Sequence, residues 1–296
     1  MGRVIRIGTR ESLLAVAQAQ MLKLYIEKNH PKYQAVLVKM KTTGDRILDR
    51  SLEAIGGKGL FVKELDAALL EGRTDLSVHS LKDLPMEVSA KLPVFGYSKR
   101  EDPQDALVLP YGCKQLDLGR PFGTSSPRRR IQLEQMYPGC QVQPVRGNVL
   151  TRLKKLDQGE YGALVLAAAG LKRLGLAGRI SSLLPVSQMV PAAGQGILAV
   201  QGRRDFDQSL LEGFFDEDAQ WQALAERSFV RALGGGCASP TAAYARLEQG
   251  ELTLTGLAAL EGGSGVRRMT LSGPKQEAEQ LGLRLAEAFK QSKLSI

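Results

Sequence analysis

The chain has 296 residues, 43% of them hydrophobic, enough for two or three domains at roughly 100–200 residues each. Lys and Arg total 40 against 31 Asp and Glu, a formal charge of +9 that favours anionic partners such as nucleic acid, an acidic surface or a small polycarboxylate. Only two histidines and three cysteines occur, with no CxxC and no HExxH, which argues against a protein-ligated metal and against a disulfide framework.

Residues 4–7 read as a short strand, and Ser12 then opens a run, Leu13, Leu14, Ala17, Met21 and Leu24, at the spacing of an amphipathic helix. Residues 35–40 alternate as a strand, 59–70 give a second helix and 76–79 another strand. The rhythm repeats, with 106–109, 142–145 and 163–167 strand-like and 126–136 and 149–156 helical, so two α/β layers are expected. REDPQ at 100–104 looks like a crossing between domains and PAAGQG at 191–196 like a return, after which strand 197–201 is able to rejoin the first sheet. Residues 221–233 then read as helix, 252–257 and 269–271 as strands, and a last helix carries Ala278, Leu281, Leu285 and Phe289 on one face. The expected division is 1–99 with 197–216, then 100–196, then a small α+β domain over 217–296. Apolar runs such as 163–169 fall short of the roughly 20 residues of a membrane-spanning helix. The first residues carry no signal-like apolar core, so a cytoplasmic protein without a membrane is expected.

GTSSPRRRIQL at 123–133 is the most informative stretch. Ser126 before Pro127 is a well-formed helix start, and free N–H groups there suit an anion. Arg128, Arg129 and Arg130 occupy the first turn, where the helix dipole favours acids. Either a bound anion compensates them or they form a solvated basic face. Arg146 and Arg152 in VRGNVLTRL, and Arg10 in IGTRES, also stand beside strand ends, where ligands gather in open α/β sheets. In VHSLKDLP at 78–85, Asp83 is expected on a turn before Pro85, as a functional carboxylate or as a turn residue. His79 is expected to be a packed strand residue, with Ser80 on the opposite face. In LGGGCASP at 233–240, three glycines present Cys237 as a nucleophile, an attachment point or an incidental thiol. GGKGLF at 56–61 lacks the P-loop pattern and reads as a glycine-rich loop or a lid carrying Lys58 and Phe61.

Together GTRES, KTTGD, GGKGLFVKELD, HSLKDLP, REDPQDALV, GTSSPRRRIQL, VRGNVLTRL, PAAGQG and GGGCASP closely resemble the porphobilinogen deaminase (hydroxymethylbilane synthase) family, in family order from Ile7 to about Pro240. The resemblance implies two domains similar to type II periplasmic binding proteins, with the active site in the cleft between them, and a small C-terminal α+β domain. It implies a dipyrromethane cofactor held by a thioether to Cys237. It also implies a transferase reaction in which four porphobilinogens are joined head to tail, with loss of ammonia, before hydroxymethylbilane is released by hydrolysis. By resemblance Arg128, Arg129, Lys82, Ser80, Thr124, Ser126, Arg146 and Asp83 hold the cofactor. Arg10, Arg146, Arg152, Arg173, Gln18 and Gln195 face the substrate, and Asp83 is the catalytic carboxylate. Acetate and propionate on every ring explain the demand for cations. A monomer without metal is implied. Pro127, Ala238 and Ser239 depart from the family's usual residues without removing a charged or nucleophilic group. The rival classes are a basic nucleic-acid binder, against which the 5% aromatic content speaks, and a non-catalytic dicarboxylate-binding module.

Overall fold

The computed structural model describes residues 3–46, 59, 62–236, 239–259 and 265–291. Strand β1 (Arg3–Arg10) leads through Ser12 into helix α1 (Leu13–Asn29). Ser12 caps the helix by accepting from Ala15 N at 3.3 Å, and Ala15, Gln18, Ala19, Leu22 and Ile26 recur on its buried face. Then come β2 (Tyr33–Met40), the single turn α2 (Thr43–Arg46), α3 (Lys63–Leu70), β3 (Leu76–Ser80) and β4 (Val94–Tyr97). The middle of the chain supplies β5 (Asp105–Val108), β6 (Phe122–Gly123), α4 (Pro127–Met136), β7 (Val142–Gln143), α5 (Val149–Asp157), β8 (Ala163–Ala167), α6 (Ala168–Arg173) and β9 (Ser182–Leu184). After β10 (Leu198–Gly202) come α7 (Glu217–Ala232), β11 (Thr241–Glu248), β12 (Glu251–Ala259), β13 (Val266–Pro274) and α8 (Ala278–Gln291).

The two five-stranded sheets share one topology, in the orders β2-β1-β3-β10-β4 and β7-β6-β8-β5-β9. In each the first three strands are parallel, and the fourth runs antiparallel to both neighbours. That fourth strand always follows a crossing of the chain: β4 is succeeded by β5 in the other sheet, and β9 by β10. Contacts divide the chain into two compact units, Met1–Glu101 with Ile197–Gln220, and Asp102–Gly196 with Trp221–Ile296.

In the first unit Ile5, Ile7, Val78, Leu198 and Val200 pack against Leu22 and Ile26 of α1. In the second, β8 is buried on both faces, which is why its sequence is a continuous apolar run. Leu164 and Leu166 meet Leu153 and Leu156 of α5, while Ala163 and Val165 meet Phe122 and Leu133 on the other side. The C-terminal sheet, in the order β11-β12-β13, is antiparallel throughout and carries α7 and α8, whose Phe229 and Phe289 rings are 5.2 Å apart. Two α/β sheets and a separate small α+β sheet are the architecture expected above.

Several elements differ from the sequence reading. Helix α3 begins at Lys63, with Gly59 and Val62 in a turn, and α7 starts at Glu217 rather than at 221. The strand expected over 142–145 stops at Gln143 because Pro144 has no N–H to give the ladder. Strands β4, β6, β9 and β11 and helices α2 and α6 were not anticipated.

Candidate functional site

In the first unit, β1 and β3 are parallel neighbours and end on the same edge. Arg10 is the last residue of β1, and Gln18 stands on the buried face of α1. β3 ends at Ser80 and tightens into a 3-10 turn, Leu81–Asp83, closed by Leu84 N donating to Leu81 O at 3.1 Å. Leu81 N also donates to Ile197 O at 3.0 Å, which ties the turn to the chain entering β10. Pro85 then prevents helix continuation. Arg10, Gln18, His79, Ser80 and Asp83 consequently line one pocket, walled by Val62 and Leu65.

Within that pocket Gln18 and Ser80 are paired, Gln18 Nε2 donating to Ser80 Oγ at 2.9 Å. Asp83 is exposed at the mouth, and Lys82 beside it is half-buried. His79 is buried, as expected for a packed strand residue, and its Nε2 has no hydrogen-bond partner. Burial pushes its imidazole down to about 4; Gln201 beside it acts the other way, and the charge of Arg10 reinforces burial. His79 is therefore neutral near pH 7.

In the second unit the loop after β6 is stitched to its neighbour strand. Thr124 N donates to Gln143 O at 3.0 Å, and Ser125 Oγ donates to Val145 O at 2.8 Å. Ser126 stands at the N-cap of α4 without a side-chain capping bond, and Pro127 opens the helix as expected. The arginines that follow separate by burial. Arg130 is exposed, whereas Arg128 and Arg129 are 4% and 7% exposed. Both bind the fully buried Asp105: Arg128 Nη1 donates to Oδ2 at 2.7 Å, and Arg129 donates to Oδ1 from Nε at 3.2 Å and from Nη2 at 2.8 Å. Burial alone would raise the Asp105 carboxyl, but the two guanidinium charges and their hydrogen bonds outweigh it and hold it below the usual carboxylate range. The solvated basic face considered from the sequence is thus excluded for Arg128 and Arg129. An anion does compensate them, and it is a side chain of the same domain.

Gln195 joins this cluster, its Nε2 donating to Asp105 Oδ1 at 3.0 Å and to Pro103 O at 2.7 Å. Arg146 follows β7 at a turn where Gly147 has φ +107°, and Asn148 caps α5 by accepting from Thr151 N at 2.9 Å. Arg152 Nε reaches back to Gly147 O at 2.8 Å, and Arg173 Nη2 donates to Gly196 O at 2.6 Å. Arg128, Arg129 and Gln195 therefore form one cluster around Asp105, while in the same unit Thr124, Ser126 and Arg146 stand in loops or at a helix cap, Arg152 early in α5 and Arg173 at the end of α6. Cys237, Lys58 and Phe61 lie outside the described residues.

Sequence reasoning passed over Asp105 and Glu226. Asp105 has a signal in hindsight, a charged residue opening the apolar run ALVL. Glu226 has none: it is a wholly buried carboxylate on α7 accepting from Gly194 N at 2.6 Å and from Ala245 N at 2.7 Å. Among the described residues, no cluster of His, Cys, Asp and Glu is placed to hold a metal ion, and no helix is long and apolar enough to cross a membrane.

Residues 5–211 match the family model described as porphobilinogen deaminase, dipyromethane cofactor binding domain, and residues 221–291 match porphobilinogen deaminase, C-terminal domain. The chain is 54% identical over 282 residues to the porphobilinogen deaminase of Acetivibrio thermocellus, covering 95% of this chain and 96% of that protein. It is 52% identical over 286 residues to the porphobilinogen deaminase of Alkaliphilus oremlandii, covering 97% and 96%. Among solved structures, the periplasmic aliphatic sulphonate binding protein SsuA from Escherichia coli aligns with a TM-score of 0.41 at 14% identity, covering 79% of this chain and 70% of that one.

Proposed function

The chain belongs to the porphobilinogen deaminase family, transferases of porphyrin biosynthesis that use a dipyrromethane cofactor, and from that membership we propose how its own residues divide the work. Asp83 is the catalytic carboxylate. The observation that carries this is its place at the mouth of the pocket that also holds Arg10, Gln18 and Ser80, at the ends of two adjacent parallel strands. A carboxylate there accepts hydrogen bonds from pyrrole N–H groups and stabilises the positive charge that develops as ammonia leaves porphobilinogen. Arg10, Arg146, Arg152 and Arg173, with Gln18 and Gln195, bind the substrate's acetate and propionate groups.

The donor set suits a polycarboxylate cofactor. Arg128 and Arg129 share one buried carboxylate, so their cluster keeps one positive charge in excess. Lys82, Ser80, Thr124, Ser126 and Arg146 add cationic or hydroxyl donors around the two strand-end loops. Cys237 would hold the dipyrromethane, which would supply there the pyrrole carbon that the first substrate joins.

The protein is further read as a cytoplasmic monomer acting without nucleic acid, divided into domains 1–99 with 197–216, 100–196 and 217–296. Burial of Arg128 and Arg129 on Asp105 supports the exclusion of nucleic acid, since a phosphate-tracking stripe needs its arginines exposed.

Intact-mass analysis of the wild type and Cys237→Ser, with porphobilinogen turnover measured on both, tests this reading. A two-pyrrole adduct on the wild type alone is expected, and an unmodified wild type after incubation with porphobilinogen overturns the attachment at Cys237.

A further inference from the structure

Two guanidinium groups at consecutive positions in the first turn of α4 are disfavoured three times over. They repel each other, they stand at the positive end of the helix dipole, and both are more than nine-tenths buried. Asp105, the first residue of β5, answers all three with one carboxylate. How it does so is not symmetrical. With Arg129 it engages both donors of the Nε–Nη2 edge, which converge on Oδ1, and Arg129 Nη1 is anchored to Val165 O at 2.9 Å. With Arg128 it takes only Nη1, whose second hydrogen goes to Val190 O at 2.8 Å. Among the described residues no protein group engages the Nε–Nη2 edge of Arg128.

We propose that Asp105 is a positioning residue for carboxylate recognition: it commits Arg129 to the fold and turns the two-donor edge of Arg128 toward the ligand's carboxylate. One carboxylate against two cations leaves the cluster with one net positive charge, which matches one incoming carboxylate. Gln195, donating to Asp105 Oδ1 at 3.0 Å, fixes the carboxylate's own orientation. This inference rests on reading Arg128 as a holder of the cofactor's carboxylates, and it adds the group that prepares Arg128 for that task.

The test uses the full chain purified as Asp105→Asn, Asp105→Glu and Arg128→Leu, with folding followed by circular dichroism. Two quantities are read by intact mass: the fraction carrying the two-pyrrole adduct as expressed, and the rate and half-saturating porphobilinogen concentration for adduct formation on apo-protein. Folded Asp105→Asn is expected to form the adduct at least tenfold more slowly, with a raised half-saturating concentration, and Asp105→Glu, which keeps the charge but displaces it, to fall between. A purely structural role lowers the melting temperature and leaves adduct formation per folded molecule unchanged; that result overturns the proposal. If Asp105→Asn does not fold, Asp105→Glu decides: slowing of at least threefold in folded protein upholds the proposal, and a wild-type rate overturns it. Arg128→Leu forming the adduct at the wild-type rate removes the underlying reading of Arg128, whatever the Asp105 variants do.

Discussion

Asp83 owes its place to three neighbouring residues: Ser80 ends the strand, Leu84 closes the 3-10 turn and Pro85 forbids helix. Asp83→Asn preserves that turn and removes the charge, so in the proposed role kcat falls about 10²- to 10⁴-fold with the melting temperature unchanged; near-normal turnover removes Asp83 from the mechanism. His79 yields a prediction about stability. Its imidazole titrates near 6.5 when unfolded and at about 4 when folded, so between those values the unfolded chain binds the extra proton. The contribution is fully present above 6.5 and is lost as pH falls toward 4, by about 3 kcal/mol at most. His79→Gln is expected to flatten the melting temperature against pH in that window, and a profile as steep as wild type refutes the assignment. Asp83 and His79 were both legible in the sequence, since a residue before Leu-Pro and a residue inside an apolar strand have few alternatives. The pairing of Arg128 and Arg129 with Asp105 was not, because 23 and 24 positions of chain separate them.

Helix ends show how local chemistry is put to use. Gly234, with φ +68°, lets α7 finish in a Schellman turn: its N–H donates to Arg231 O, and Gly235 N donates to Val230 O at 2.9 Å. Two of the three glycines before Cys237 thus end the helix, where the sequence reading had all three present the thiol. The β11–β12 hairpin turns at Gln249 and Gly250, both at positive φ, the two-residue turn that suits the twist of its strands. Helices α7 and α8 touch where Gly282 meets Ser228, Ala225 O and Phe229 N, leaving no room for a Cβ. Gly282→Ala is expected to destabilise the C-terminal domain by about 1–3 kcal/mol, measured by thermal melting. Glu226→Ala strands two buried N–H groups, of Gly194 and Ala245, at about 1–3 kcal/mol each; the expected loss is a lower melting midpoint, and an unchanged one contradicts the bonding described. Helix α8 was legible by its periodicity, Ala278, Leu281, Leu285 and Phe289 all being buried, whereas the run that suggested α1 misplaced its face: Leu13, Met21 and Leu24 are exposed, and Ala15, Gln18, Ala19, Leu22 and Ile26 face the core. The two-residue strands β6 and β7 were not legible, because so short a strand is defined by its pairing partners rather than by any pattern of its own.

At the scale of the molecule, the surplus of nine positive charges resolves into arginines with separate duties. Some bind carboxylates within the protein, as Arg6 does Asp75 at 2.8 Å and Arg179 does Asp157 at 2.8 Å. Those proposed to bind substrate act on its two carboxylates, so raising salt from about 0.1 to about 1 M, which shortens the screening length from about 10 to about 3 Å, is expected to raise KM for porphobilinogen more than it lowers kcat. A KM indifferent to salt contradicts that role for the arginines. The sequence by itself determined the α/β rhythm, the strand-end location of Arg10, Asp83 and Arg146, and the family, because these depend on neighbours in the chain and on motifs long enough to be specific. Only the tertiary structure decided that each crossing of the chain delivers the fourth strand of the other sheet, and that Asp105 stands between Arg128 and Arg129. Strand order and buried charge pairing are settled by contacts between residues far apart in the chain, and no local pattern encodes them.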